Sequence, residues 1–465
     1  MPLSNSALVL AALACAATAH AADGVPDPAF GDGGAAFVRP DDVEARQLHP
    51  YATQVLPDGK LLFGGFRSRF NPDVPFEPVL RAMLARLNAD GSVDTGFGNT
   101  SIPGVAVLPD IAPDSRIQAI HAMHVLDDGR VVAAGTALAH APATGFVVRL
   151  DAAGNVDATF GTQGFTKIAY LDVTALAVDT QGRIVVLGND REDFARGFGK
   201  LVRLTPDGAP DPTFDGDGVL PVEWDGRDSA NQFDALAIGA GDAIVVGGSV
   251  DTGDGPDSVF ALARIAADGT YDPTFAGTGH RTFGADDIVS PVNHVERVVV
   301  AADGAIAFSG QYTNAGGKRA LVLGRVNADG TSDAAFGDPA TPGWQRPAIV
   351  PDAFGVDTTG LVMQPDGKLV VSVTYFSPTV KKQFLALRTD TNGALDATFA
   401  DAGIYAHDLA PDGDGSETGS LALQPDGKLV VAGAAGRQSP LIDLAVVRLV
   451  NTNLVPDAIF ADGFE

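Results

Sequence analysis

Short apolar runs, each ended by Asp-Gly, Asn-Gly or Gly-x-Gly, follow one another along nearly the whole chain. LALQ (421–424), KLVVAG (428–433) and DLAVVRL (443–449) show the style, with GIYAHDL (403–409) just before them. Runs of this length, rich in Val, Leu, Ile and Ala and separated by turn residues, predict consecutive antiparallel strands with tight turns. Four such runs recur in each unit, so each unit predicts one four-stranded sheet.

The units are copies of one another. A turn motif recurs as VLPDGKLLFGG (55–65), VLDDGRVVAAG (125–135), MQPDGKLVVSV (363–373) and LQPDGKLVVAG (423–433). An arginine then opens a second turn, at Arg86, Arg149, Arg203, Arg264, Arg325, Arg388 and Arg448. Asp-x-x-Phe closes the unit, at Asp94 and Phe97, Asp157 and Phe160, Asp211 and Phe214, Asp272 and Phe275, Asp333 and Phe336, and Asp396 and Phe399. Flanking pairs stand at Asp27 and Phe30 and at Asp457 and Phe460. Self-similarity at a fixed period marks a repeat architecture, because one sheet cannot bury both faces alone. Stacked radially, the sheets bury their faces and leave only short edges. The expected fold is an all-β, seven-bladed β-propeller of four-stranded antiparallel blades over 22–455, with 456–465 a partial repeat copy. An open solenoid is the alternative, and it would need distinct polar caps that the terminal copies lack.

These motifs resemble the delta-60 repeat family, bacterial exported proteins built from a QPDGK…VAG…ARLNADGSLDxxFG pattern. The resemblance covers essentially the whole mature chain and implies a propeller without an assigned activity. TQG (180–182) and GAGDA (239–243) depart from the PDGK turn in two copies.

Strand bookkeeping predicts how the ring closes. Fourth strands are expected near Ile102, Gly164, Gly218, Gly279, Gly343 and Gly403, and none follows the last unit. Residues 34–38 have the right character to complete that unit beside 443–449. Phe30 and Phe460 then compete for one place.

Residues 1–21 read as a secretory signal: an apolar run from Ala7 to Ala19, then Ala19, His20 and Ala21 before a cut ahead of Ala22, though without a basic residue at the start. Secretion or a periplasmic location is the expectation. The single cysteine, Cys15, falls inside this segment and fits a lipidation site poorly, so the mature chain is expected to lack cysteine chemistry. No other apolar stretch has the length of a membrane helix.

The formal charge of −27 disfavours nucleic acid and anionic lipid, which need a basic surface. Chemistry-bearing motifs are few. The motif Arg, Asp and Phe residues are read as structural, since so many copies are not so many active sites, and the arginines are expected to be buried in pairs with an Asp or with backbone carbonyls. No nucleophile elbow, P-loop or zinc-protease helix occurs. His121 and His124, three apart on a strand, point to opposite faces and do not chelate one metal. Asp412, Asp414 and Glu417 offer hard-cation ligands, as do Asp215 with Asp217 and Asp251 with Asp254 and Asp257, so calcium is the one cofactor considered, against none. Trp224 and Trp344 are read either as a sugar-stacking surface or as core.

Function is expected on the face carrying the irregular loops, because loops on a rigid scaffold carry specificity. The loop 67–78 is the leading candidate, with Arg67, Arg69, Phe70 and Phe76, joined by Asp225 and Asp286 on the same face. The preferred reading is a non-catalytic exported scaffold that binds a protein or glycan, a monomer without membrane span. A glycan hydrolase or lyase with carboxylates from several blades, and a structural surface protein, are the alternatives.

Overall fold

The structure, a computed structural model, describes residues 22–40, 46–70, 78–112, 115–138, 143–192, 198–224, 231–251, 258–283, 293–314, 316–350, 352–438 and 441–451. These residues form an all-β molecule with one short 3-10 turn at Ala240–Asp242. Among them no helix is long and apolar enough to cross a membrane.

One blade shows how the sequence makes the others. Ile117–Val125, Val131–Leu138, Thr144–Leu150 and Phe165–Ala169 pair antiparallel in that order. The first turn is set by Gly129 at φ 81, while Asp128 accepts a hydrogen bond from the Arg130 amide at 3.0 Å. Val131–Leu138 is buried along nearly its whole length, as are its counterparts Ile184–Asp190 and Ile244–Asp251. These middle strands have neighbouring sheets on both faces, which is why they read as continuous apolar runs instead of alternating ones. The apolar clusters lie between sheets: Leu62, Leu84 and Phe97 of one pack against Ile120, Val131 and Phe146 of the next.

The expectation of seven separate four-stranded blades is corrected by the pairing. Five blades stand as sheets of their own. They start at the inner strands Ile117–Val125, Leu171–Val178, Gln232–Ile238, Asn293–Val300 and Gly355–Met363. The one starting at Asn293 carries two extra two-residue strands, Gly337–Asp338 and Thr341–Pro342. The strands assigned by sequence to the first and last units instead run together as one eight-stranded sheet. Gln47 pairs in parallel with Ile442, and the Ile442 amide donates to the Arg46 carbonyl at 2.8 Å. A repeat count reads strands along the chain; it does not register this lateral bond between distant ends.

Within that sheet Ala35–Val38 pairs antiparallel with Leu441–Leu449, Ala35 opposite Val447 and Val38 opposite Leu444. The N-terminal strand thus supplies the fourth strand missing from the last unit. Inner strands contact one another in cyclic order, and Thr53 Oγ1 meets Ser420 Oγ at 2.6 Å where the last meets the first.

The motif residues form one repeated device. Each arginine Nε donates to its aspartate: Arg86 to Asp94, Arg149 to Asp157, Arg203 to Asp211 and Arg264 to Asp272, all at 2.8 Å, Arg325 to Asp333 at 2.6 Å and Arg388 to Asp396 at 2.9 Å. Each guanidinium lies 4.2 to 5.2 Å from its phenylalanine ring, from Arg86 over Phe97 to Arg264 over Phe275. Its Nη1 then reaches a turn of the next unit, as Arg149 does to the Pro206 carbonyl at 2.8 Å and Arg325 to that of Thr391 at 2.8 Å. Fold and inter-blade contact therefore rest on the same side chain. Arg448 completes the series with Asp27 at 2.9 Å and Phe30 at 4.6 Å, and donates to the Ala89 carbonyl at 2.6 Å. Asp457 and Phe460, its partners by sequence order, lie outside the described residues, as does the whole segment 456–465.

Candidate functional site at the channel mouth

Each inner strand breaks register once, at the same place. The shifts fall between Pro50 and Ala52, Ile120 and Ala122, Val173 and Ala175, Phe233 and Ala235, Val295 and Arg297, Thr358 and Gly360, and Thr418 and Ser420. The residue left over is a β-bulge, which re-aims a side chain. Opposite stands the glycine that recurs inside the second strand. A Cβ on Gly65, Gly135, Gly248, Gly310 or Gly433 would sit 1.9 to 2.0 Å from a carbonyl oxygen of the bulged strand, and one on Gly188 2.5 Å. Only in the unit of Gly355–Met363 does a side chain, Val373, take that place.

The bulge residues Tyr51, His121, Thr174, Asp234 and Thr359 line a central cavity of about 240 Å³, with Gln54, Met123 and Arg297. Beyond them the channel widens to about 680 Å³ between aliphatic strand ends such as Val55, Val300, Met363 and Leu423. It is polar at the bulges and apolar toward the Asp-Gly turns. A groove of about 900 Å³ outside the channel, at Pro109–Ile111, Gly161–Gln163 and Asp207–Pro210, gathers neither histidine nor buried carboxylate.

Around the bulges the polar groups are bonded from sheet to sheet. Asp234 accepts from Asn189 Nδ2 at 3.1 Å and Gln232 Nε2 at 2.9 Å, and faces His294 Nε2 at 2.8 Å. His294 Nδ1 lies 3.0 Å from Ser249 Oγ. Burial works to raise the Asp234 carboxyl, yet these partners, His294 foremost, hold it below its ordinary range. Asp172 accepts from Thr136 Oγ1 at 3.2 Å and pairs with Arg191 at 3.0 Å. Tyr51 stacks on His121 at 5.5 Å and His49 on Phe66 at 4.9 Å. Burial lowers both imidazoles against the pull of nearby carboxylates, so they are neutral at pH 7.

Glu296 takes the opposite course. Its Oε1 accepts from Gln311 Nε2 at 2.9 Å and its Oε2 from the Thr358 amide at 2.6 Å, and full enclosure pushes its pKa up to about 7. A raised carboxyl contributes stability that is whole below the unfolded value of 4.5 and is lost as pH rises to about 7. The shift corresponds to a loss on the order of 3 kcal/mol across that window. Glu296→Gln, which mimics the protonated form, is expected to flatten this part of a stability profile measured by urea unfolding from pH 4.5 to 8; an unchanged slope would contradict the assignment.

The loop candidates fare differently. Arg67 and Arg69 lie on the strand Leu61–Phe70, which Phe70 ends, and Arg67 is in register with Arg81, itself paired with Asp110 at 2.8 Å. Phe76, Asp225 and Asp286 lie outside the described residues. Asp412 and Asp414 are exposed, while Glu417 pairs with Lys382 at 2.5 Å, so the three do not converge. Among the described residues no three His, Cys, Asp or Glu side chains are placed to hold a metal ion. The sugar-stacking reading of the tryptophans is corrected: Trp224 and Trp344 are buried, Trp224 against Phe233 at 5.9 Å and Trp344 against Phe260 at 5.2 Å and Phe308 at 5.3 Å. The alternation argument for His121 is corrected too, since His121 is itself the bulge residue. Sequence reading missed the bulge ring; the isolated in-strand glycine of VVAG was its signal.

Six stretches, 56–97, 126–160, 182–214, 243–275, 301–336 and 424–460, match the family model described as a domain of unknown function (DUF5122) beta-propeller. No curated protein matches. Among solved structures, polysaccharide lyase Uly1 is similar at 10% identity, covering 92% of this chain and 96% of its own, with a TM-score of 0.49. A protein of unknown function from Dyadobacter fermentans is 15% identical over 77% of this chain and 98% of its own, TM-score 0.43. The α-L-arabinofuranosidase Arb93A from Fusarium graminearum is 12% identical over 77% and 97%, TM-score 0.43. These likenesses are too distant to bear on function. The sheets and the six matched copies together make this chain a β-propeller repeat protein.

Proposed function

We propose that this chain is an exported, non-catalytic binding propeller of the delta-60 kind, and that its channel mouth on the variable-loop side takes a neutral glycan. One observation supports this above others: the stacked Tyr51 and His121 rings border the same cavity as Asp234, Thr174, Thr359 and Arg297. A sugar ring offers an apolar face for stacking and hydroxyls for such a polar rim. The mouth carboxylates are already partnered in place, Asp234 with His294, Asp172 with Arg191 and Glu417 with Lys382, so a cationic ligand gains little there. The proposal includes a monomer with neither nucleic-acid partner nor cofactor.

Screening oligosaccharides by thermal shift tests it, because a ligand stabilises the state it binds. Tyr51→Ala is expected to weaken the bound glycan about tenfold, the loss of roughly 1.4 kcal/mol. Binding to the screen that Tyr51→Ala leaves intact would overturn the site. A second reading, a glycan hydrolase or lyase, draws on Glu296, whose pKa near 7 suits acid–base work. Turnover lost in Glu296→Gln with binding retained would favour it.

A further inference from the structure

The turns that join the first and second strands of each unit all close in one way. The first of five residues donates its amide to the carbonyl of the fifth, as Leu56 does to Lys60, Asp179 to Arg183 and Gly239 to Ala243. The fourth residue stands at positive φ. It is glycine in six turns, Gly59, Gly129, Gly182, Gly304, Gly367 and Gly427, at φ 75 to 86. In the turn 239–243 it is Asp242, at φ 60 and buried. A side chain there is strained, so this turn departs from the repeat at its most constrained position.

The neighbouring unit departs to match. Its turn, 179–183, has Thr180 at the second place, where Pro57, Pro365 and Pro425 stand in other units and have no amide hydrogen to give. Thr180 donates its amide to Asp242 Oδ1 at 3.0 Å and its hydroxyl to the same oxygen at 2.8 Å. Gln181 Nε2 reaches Asp242 Oδ2 at 3.3 Å, and Arg183 Nη2 reaches the same atom at 3.4 Å. In other units the basic residue of this turn goes to the motif aspartate of its own unit, Lys60 to Asp94 at 3.1 Å and Lys368 to Asp396 at 2.9 Å. Arg183 is aimed instead by Asp179, which accepts from its Nε at 2.6 Å. The two departures from the PDGK turn are thus the two halves of one joint.

The motif joints on this side of the ring carry no such information. Six motif arginines reach the next unit through a backbone carbonyl, Arg86 at Ala152 and Arg448 at Ala89 among them. Backbone pairs such as the Gly161 amide with the Asp207 carbonyl repeat the pattern. Every unit owns a backbone, so contacts of this kind hold a neighbour without telling which neighbour it is. Asp242 does tell. Against a Pro turn its carboxylate would meet neither amide nor hydroxyl, and against Asp127 it would face a like charge, so a mismatch is penalised as well as the match rewarded.

We propose that Asp242 and the turn 179–183 are an order mark: a recognition pair that fixes which two units dock side by side while near-identical units assemble into one ring. The partner recognised is a turn that offers an amide, a hydroxyl and a guanidinium to one carboxylate.

The test separates stability from fidelity of assembly. The full chain is unfolded in urea and diluted, and the native monomer recovered is measured by size-exclusion chromatography beside the equilibrium urea midpoint. Asp242→Gly returns the turn to the repeat's own residue and removes the strain along with the bonds. Its midpoint is expected to stay near that of wild type while its yield of native monomer falls several-fold, the remainder in misdocked oligomers. Thr180→Pro, with Asp242 kept, is expected to lower both. Combining the two removes the unpartnered carboxylate, so the midpoint is expected to recover and the yield to stay low. A wild-type yield in Asp242→Gly, a yield that falls only as far as the midpoint explains, or a yield that recovers with the midpoint in the combined variant each overturns the proposal, leaving the pair a local contact and no more. Should Asp242→Gly not fold, Asp242→Asn takes its place, since asparagine adopts the same φ and keeps an acceptor for Thr180. Its yield is expected between those of wild type and Thr180→Pro, and a wild-type yield overturns the proposal equally.

Discussion

Arg388→Ala is expected to cost about 3 to 5 kcal/mol, the range for removing one partner of a buried ion pair. Its side chain is fully enclosed and serves four neighbours: Asp396 at 2.9 Å, Asp23 at 2.8 Å, Asn451 at 2.6 Å and Thr398 at 3.1 Å. Truncation takes the enclosed guanidinium from both carboxylates, leaving Asp396 with Lys368 at 2.9 Å, and it uncouples the last two units from the N-terminal segment at once. The planar fork matters as much as the charge, so Arg388→Lys is expected to recover only part of the loss. Arg325, whose side chain is 17% exposed and whose Nη1 reaches only a backbone carbonyl, is the internal comparison and is expected to cost less when replaced. Urea unfolding of the three variants gives the order; an Arg388→Ala chain within about 1 kcal/mol of wild type would show that the repeat arginines are ornament, not joints.

The repeat made much of this legible beforehand. Glycine-punctuated apolar runs marked the strands, and the constant spacing of Arg203 to Asp211, or Arg388 to Asp396, marked pairs that the turn brings within hydrogen-bonding distance. The lateral bond between Gln47 and Ile442 was not legible, because nothing local to either residue differs from its counterparts. The channel site was hidden for another reason. Its residues Tyr51, His121, Asp234 and Glu296 share a position in the repeat but not a chemistry, so self-similarity, the strongest signal in the chain, averages them away. The glycine facing the bulge keeps its identity in every unit but that of Val373 because it answers a backbone contact, as Gly248 does against the Gln232 carbonyl. Conserved spacing reported the scaffold, and the variable member of the same motif is where recognition is placed.

Deleting residues 22–38 is expected to have the largest effect of all. It removes the strand Ala35–Val38 from its partner Leu441–Leu449, strips Arg448 of Asp27 and Arg388 of Asp23, and empties the fully buried place of Phe30. Losing a buried aromatic alone costs about 3 to 5 kcal/mol, and an unpaired buried cation about as much again. Set against a total stability of about 5 to 15 kcal/mol for a folded domain, the sum leaves little or nothing. The edge of Leu441–Leu449 that Ala35–Val38 covers is laid open. That edge then presents unpaired amides and carbonyls, a template for a neighbouring chain. The deleted protein is accordingly expected to elute as oligomers or aggregates in size-exclusion chromatography and to lose its cooperative melt. A chain ended after Asn451 should stay within about 0.5 kcal/mol of wild type, since it keeps every contact described for the closure. A monomeric, cooperatively melting protein lacking residues 22–38 would show that the ring does not depend on its N-terminal strand.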